Sequence, residues 1–573
     1  MITSHIYHLV LKRQMTKLNA YQQTYSCFID ILFLSISLGC LFFILLGTRP
    51  LFVPDEGRYA EIIREMVNSG NYITPYLNGI KYFEKPNLFY WLGSLAVYLN
   101  GLNLWSIRGV NALLALLGCL FTYWIASKCY DRATGLCAAL ILGTSSLYFV
   151  MAHMISLDLT VTFFITTCLY TFLLGYQELS ADKRNNYLFI AAACSALAVL
   201  TKGLIGIIFP LMVIGLSLTF IRKWRAIKQL PLLSCIAIFL LITIPWHALV
   251  QWYNPEFFHF YFIEQHILRY ITTTVGHYQP VWYFIPILII GFFPWVVFLP
   301  QTITTCLSSW RMQHHSTAIF FLVWATSIFL FFSFSKSKLI PYILPLFPPL
   351  AILVARYLVH HHTHRRGIKI GYIFLIFFSI AIACLFYWYT KHIVLPYPTM
   401  AALYLNIAGA LLVIGSVVSY LWIQHSQVTL SFITILVTMW LFLLILLAAT
   451  PAIDTRTIQP LAFTLKPLLQ AHDEVITYNQ YFQDLPFYLK QRVSILNWQN
   501  ELSFGMRYQH TKQWMINDAD FWQRWNSNQR IFVVMSLDEY AHFKQKHPII
   551  QAYFIDKTIA NILISNKKRS YNA

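Results

Sequence analysis

Apolar runs of about 20 residues, each long enough to cross the hydrocarbon core of a bilayer, recur from residue 28 to residue 449 and then stop. No soluble core absorbs that many such runs. The composition agrees, with 58% hydrophobic and 11% charged residues over 573 positions. The chain therefore divides into an N-terminal segment (1–27), a membrane domain (28–449) and a polar C-terminal domain (450–573). About thirteen spans are predicted, near 28–47, 106–128, 133–152, 158–176, 186–200, 203–221, 231–250, 281–300, 316–334, 339–359, 369–389, 401–423 and 427–449. Residues 86–100 are apolar but short and begin at Lys85-Pro86, which predicts a half-buried or interfacial helix.

Sidedness follows from the cations. Lys12, Arg13 and Lys17 precede an apolar run with no small-residue cleavage site, so the first span is retained and the N-terminus is cytoplasmic. The inside loops then carry Lys128/Arg132, Lys183/Arg184, Arg222/Lys223/Arg225/Lys228, Arg311 and Arg365/Arg366/Lys369, as the positive-inside rule asks. An odd number of spans puts the C-terminal domain outside. The net charge of +19 resides in these short loops and forms no stripe, which argues against nucleic acid. All ten cysteines lie in or beside spans without CxxC pairs, which predicts packing roles and neither disulfides nor a thiolate metal site. In the tail, Val475–Tyr478, Val493–Leu496, Ile531–Met535 and Ile559–Ile564 read as strands alternating with helices over Gln480–Lys490, Asp518–Asn528 and Leu537–His547. That alternation predicts a small α/β domain.

Charge on the outside face needs a reason, because burying it at membrane level is expensive. The first outer loop holds Asp55, Arg58, Glu84 and Lys85. Its opening stretch reads as an interfacial amphipathic helix, with Tyr59, Ile62, Ile63, Met66 and Val67 on one side and Glu61, Arg64 and Glu65 on the other. A second interfacial helix is predicted around Phe257–Leu268, followed by Arg269. Asp158 opens a span, where a carboxylate serves equally well as a helix cap. Lys202 sits in a three-residue turn, and Lys336 and Lys338 alternate in Ser-Lys-Ser-Lys against the positive-inside pattern. Cations converging at the outer leaflet suit a phosphate or diphosphate, and carboxylates facing them suit proton transfer or a developing cationic sugar carbon.

Five motifs in chain order sharpen this. Asp55-Glu56-Gly57-Arg58-Tyr59-Ala60-Glu61, Phe83-Glu84-Lys85-Pro86 with Tyr90-Trp91, Ser156-Leu157-Asp158, Thr201-Lys202-Gly203, and Ser335-Lys336-Ser337-Lys338 running on to Pro341-Tyr342-Ile343-Leu344-Pro345 resemble the bacterial aminoarabinose transferases that modify lipid A. These belong to the protein O-mannosyltransferase-like superfamily of membrane glycosyltransferases with the GT-C fold. The resemblance runs from about residue 28 to residue 449. It implies an all-α GT-C membrane domain with a periplasmic α/β domain in the inner membrane, and a polyprenyl-phosphate-linked sugar donor entering among the membrane lipids. Lys85 and Arg269 would grip the donor phosphate, with Arg58 and Lys202 close by, and Tyr59, Glu84, Lys336, Lys338 and Tyr342 would line the acceptor or anion site. The acceptor oxygen would attack the anomeric carbon with inversion. Asp55 and Asp158 would orient an already ionised lipid A phosphate or the amino group of the sugar; with a hydroxyl acceptor, as in protein O-glycosylation, Asp55 would be the base. The resemblance also admits a divalent metal near the first loop with Glu84 and His266 as two ligands, against the plainer reading of a satisfied surface pair. A lipid-linked sugar transporter or flippase is the alternative from another class, although such proteins tend to show internal repeats and charge at mid-membrane.

Overall fold

Helices occupy every predicted span in the computed structural model, which describes residues 26–222, 224–268, 278–311, 316–360 and 365–568. In chain order the helices of the membrane domain are α1 (Ser26–Phe43), α2 (Asp55–Ser69), α3 (Leu88–Asn100), α4 (Leu104–Cys129), α5 (Arg132–Gly143), α6 (Ser146–Ala152), α7 (Leu157–Gln177), α8 (Ala181–Lys202), α9 (Ile205–Ile221), α10 (Leu232–Tyr253), α11 (Phe284–Gly291), α12 (Leu299–Arg311), α13 (Ser316–Phe334), α14 (Phe347–His360), α15 (Arg365–His392), α16 (Pro398–Gln424) and α17 (Val428–Ile453). Among the described residues nine helices are long and apolar enough to cross a membrane, or up to eleven if each of two bent pairs is one span. The remaining difference from thirteen lies in α8, whose first turn carries Asp182, Lys183 and Arg184, and in α9, which has 17 residues.

Both bends have local causes. Between α5 and α6 the axis turns by 66°, where Thr144 and Ser145 donate their hydroxyls to the carbonyls of Leu140 and Ile141 and end the first helix. The second bend, 107°, falls between Val281–Gly291 and Trp295–Ser308, where Pro294 removes a backbone donor. Polar pairs also tie down the end of the bundle away from α2. Asp30 accepts from Arg132 at 2.6 and 2.7 Å and from Tyr123 at 2.8 Å, and His360 meets Asp131 at 2.6 Å.

At the other end the chain between α2 and α3 makes a two-stranded hairpin, β1 (Tyr76–Leu77) and β2 (Ile80–Lys81), with Asn78 and Gly79 at its turn. Both turn residues have positive φ, which Asn and Gly tolerate. The C-terminal domain is a six-stranded mixed sheet. Its strands are β3 (Glu474–Tyr478), β4 (Ser494–Leu496), β5 (Met515–Ile516), β6 (Ile531–Ser536), β7 (Tyr553–Lys557) and β8 (Asn561–Ser565), in the order β5-β4-β3-β6-β8-β7. The first four strands pair in parallel, and β8 and β7 add antiparallel. The edge strands β5 and β7 and the hairpin strands are too short or too polar to register as apolar alternation. The predicted helix over Gln480–Lys490 contracts to Leu485–Leu489.

Alternation along β6 shows how this domain is held. Ile531, Val533 and Met535 face Phe521, Trp525 and Phe543 of the helices Asp518–Trp525 and Leu537–Lys546. Phe532 and Val534 face the opposite way, into a core shared with Ile62, Ile63 and Met66 of α2 and Leu77 and Ile80 of the hairpin. Bonds between side chains and backbone reinforce the joint: the Asn78 amide donates to the Val493 carbonyl at 2.9 Å and accepts from its N–H at 3.0 Å, and Lys81 N donates to the Gln509 side chain at 2.7 Å. The polar side of α2 is consequently covered, in contrast to the amphipathic interfacial helix expected from its pattern. Glu61 is fully buried and takes both arms of Arg64 at 2.7 and 2.6 Å, while Arg64 also donates to the Lys490 carbonyl at 3.3 Å. Charged residues on a helix face can signal a protein partner as well as water, and here that partner is the chain's own C-terminal domain.

Candidate active site

Glu56 is the fixed point of the first loop. It is fully buried and sits between two arginines, with Arg49 at 2.5 and 2.9 Å and Arg108 at 3.0 Å on both oxygens. The backbone amides of Phe52 and Ile155 donate to it at 2.8 Å each. Burial pushes this carboxyl up, but the two guanidinium groups outweigh it and hold the pKa near about 2. Arg108 spends its remaining donors on the carbonyls of Leu46, Arg49 and Pro50. Glu56 thus binds the start of α2 to α4 and to the segment that leads into α7. The sequence placed Glu56 inside a motif, yet gave no sign that Arg49 and Arg108 converge on it.

With Glu56 facing in, Asp55 faces out at the mouth of the site, its side chain 49% exposed. One turn on, Arg58 donates to Asp55 at 3.2 Å and also pairs with Glu501 of the C-terminal domain. Burial works against the charge of Arg58, but the carboxylates Glu501 and Glu84 beside it outweigh that and raise its pKa. Tyr59 is half-buried against Phe89 and Tyr90. Burial first, and then the fields of Asp55 and Asp158, raise its pKa and keep it a neutral phenol. Both acids therefore act on one side chain although they come from different loops.

Asp158 does not cap α7. That role falls to Ser156, whose hydroxyl accepts from the Asp158 amide at 3.1 Å and donates to the Asp158 carboxylate at 3.1 Å. The carboxylate is left for Lys202, with which it forms an ion pair. Lys202 ends α8, its ammonium 4.7 Å from the ring centre of Tyr342, and Gly203 follows at φ +85°, a conformation that favours glycine. Three distant motifs thus meet in Asp158, Lys202 and Tyr342.

The other predicted residues are placed as follows. Glu84 accepts from Tyr82 at 3.1 Å and lies in the field of Arg58. Lys85 is half-buried, in a loop fastened by Asn87, which donates to the carbonyls of Tyr72 and Ile73 at 3.0 and 2.9 Å. Lys338 turns inward and bonds the carbonyls of Gln279 and Ser335, while Lys336 faces outward. Arg269 lies outside the described residues, as do the side chain of His266 and the basic positions Lys12, Arg13 and Lys17. Among the described residues no group of three or more His, Cys, Asp or Glu gathers as metal ligands.

Gly57 marks a close approach of the two domains. A Cβ built there would lie 2.6 Å from the Asp484 amide nitrogen and 2.8 Å from the Gln483 carbonyl carbon, both backbone atoms. Gly57→Ala is expected to destabilise the protein by about 1–3 kcal/mol through this overlap. A melting temperature in detergent equal to that of the wild type would refute the expectation.

Comparison with known proteins adds the family. The Dolichyl-phosphate-mannose-protein mannosyltransferase family model matches residues 28–261, and the Aminoarabinose transferase C-terminal domain model matches residues 461–564. The crystal structure of ArnT from Cupriavidus metallidurans in the apo state superposes with a TM-score of 0.83 at 28% identity, covering 94% of this chain and 97% of that one. In both its membrane domain and its C-terminal domain the chain is similar to the aminoarabinose transferases of the GT-C fold. The same Cupriavidus protein bound to Undecaprenyl phosphate gives a TM-score of 0.82 at 29% identity, over 94% of this chain and 98% of that one. The Undecaprenyl phosphate-alpha-4-amino-4-deoxy-L-arabinose arabinosyl transferase of Enterobacter sp. (strain 638) is 33% identical over 353 residues, which span 61% of this chain and 63% of that relative's length. The apolar helices and this likeness together make the chain an integral membrane protein.

Proposed function

We propose that this protein is a glycosyltransferase that moves 4-amino-4-deoxy-L-arabinose from undecaprenyl phosphate to a phosphate of lipid A, at the periplasmic face of the inner membrane, with its N-terminus in the cytoplasm. The observation that carries this reading is the meeting of Asp55, Arg58, Tyr59, Asp158, Lys202 and Tyr342 at one end of the helical bundle, on the side covered by the C-terminal domain. The names and the bound lipid of similar proteins support the donor and the sugar. Charge gathered at one end also favours a transfer site over a flippase, which needs charge along the path through the membrane.

In this reaction an oxygen of the acceptor phosphate attacks the anomeric carbon from the face opposite the donor. The bond from that carbon to the undecaprenyl phosphate oxygen breaks, the configuration inverts, and undecaprenyl phosphate leaves with the electron pair. The acceptor is already ionised at neutral pH, so no strong base is required. Asp55, half-exposed at the mouth, orients the acceptor or the sugar's ammonium. Lys85 and Arg269 hold the leaving phosphate. Arg58 and Lys202 reach it while each remains paired to a carboxylate, which keeps two cations at the site without leaving either unpaired before the donor arrives.

Mass spectrometry of lipid A from a host with and without the gene tests the reading. Aminoarabinose-bearing lipid A is expected with the gene alone. Unaltered lipid A beside a newly glycosylated protein would overturn it in favour of protein O-glycosylation, for which Asp55 would serve as base.

A further inference from the structure

One turn of the C-terminal domain brings a carboxylate to the candidate site, and the contacts of that turn are directed. Glu501 lies in the short helical turn Asn500–Leu502, which runs into Ser503–Met506. One carboxylate oxygen pairs with Arg58 and the other accepts from Gln483 at 3.2 Å; the Glu501 side chain is 10% exposed and that of Arg58 13%. Three residues on, Phe504 stacks on Phe260 with ring centres 3.8 Å apart and planes 16° from parallel. Gly505 lies where an added Cβ would be 2.4 Å from the Lys81 carbonyl, so the turn is seated against the hairpin backbone. This turn is wedged between the hairpin and the helical segment His259–Leu268 after α10, and cannot slide without breaking a close contact on either side.

Such seating is more than docking needs, since the shared apolar core already joins the domains. What the turn adds is one carboxylate aimed at one arginine. A guanidinium presents its donors in a rigid fork, so fixing one arm fixes the direction of the other. The other arm of Arg58 is the one on Asp55.

We propose that Glu501 is a positioning residue of the transfer site: by holding one arm of Arg58 it aims the rest of the guanidinium at Asp55 and at the donor phosphate, so the membrane domain without the C-terminal domain carries an incomplete site. The proposal rests on the transferase reading above. Burial raises the Glu501 pKa above the ordinary carboxyl value, and the field of Arg58 offsets only part of that rise.

A double-mutant cycle on the full-length protein tests it, with undecaprenyl-phosphate aminoarabinose as donor and lipid A as acceptor. Glu501→Ala is expected to lower kcat/KM by about 10- to 100-fold, the cost of misplacing a substrate-positioning group. Glu501→Gln, which still accepts from Arg58, should recover most of that loss. In an Arg58→Ala background Glu501→Ala should add less than about 2-fold, because the residue through which it acts is gone. A Glu501→Ala loss of equal size in both backgrounds, or no loss at all, overturns the proposal. Were the wild-type protein inert toward this donor, the transferase reading would fall while the cycle is still read with undecaprenyl phosphate alone. A ligand-induced rise in melting temperature that is lost in Glu501→Ala and no further reduced in the double variant supports the positioning role; a rise untouched by Glu501→Ala overturns it.

Discussion

Glu56→Ala is expected to leave little folded protein in the membrane. The substitution strands Arg49 and Arg108 in a site where both are buried, and breaking a buried charge cluster by removing one partner typically costs about 3–5 kcal/mol, a large share of a domain's stability. Two backbone amides lose their acceptor at the same time. The same carboxylate sets an acid limit. Its pKa falls from 4.5 to about 2 on folding, so its contribution of about 3 kcal/mol is complete above the unfolded value and drains away as pH drops from about 4.5 toward about 2. Thermal melts of the detergent-solubilised protein across that range check the pH dependence, and immunoblots of membranes check the variant. A Glu56→Ala protein that accumulates and melts like the wild type would show that the two arginines find other partners.

What the sequence disclosed, and what it concealed, follows from the range of each interaction. Membrane spans are written in the chain one residue at a time, so helices fill every predicted position, and charge crowded into loops between spans marked Asp55, Arg58, Asp158 and Lys202 as residues with a purpose. The partner of each charge lies far away in sequence. Asp158 pairs with Lys202 across 44 positions, and Arg58 with Glu501 across 443. Nothing near Glu501 distinguishes it from an ordinary exposed acid, so its place beside Arg58 emerges only when the domains are seen together. The covering of α2 was hidden for the same reason. A helix with Glu61, Arg64 and Glu65 along one side has the period of a solvated face, and only the position of Lys490 and of the sheet shows that the face is closed. Gly57 falls between the two cases: a glycine inside an otherwise strong helical pattern hints at a close approach, without saying to what.

Asp55→Asn should behave in the opposite way to its neighbour. The Asp55 side chain is half-exposed and its bond to Arg58 is a surface pair, worth no more than about 1 kcal/mol, and Arg58 keeps Glu501. Protein level and melting temperature should therefore match the wild type, while aminoarabinose transfer to lipid A drops by about 100-fold or more. The pH profile of the residual activity then separates the two roles open to this carboxylate. A base that takes a proton from a hydroxyl acceptor can be replaced by hydroxide, so the deficit would narrow as pH rises. A group that orients an ionised phosphate or an ammonium has no such substitute, and the deficit should stay constant between about pH 6 and pH 9. We expect the constant deficit, because a lipid A phosphate brings its own negative oxygen to the reaction and requires a correctly placed neighbour more than a proton acceptor. A deficit that closes at high pH would make Asp55 the base and shift the acceptor toward a hydroxyl.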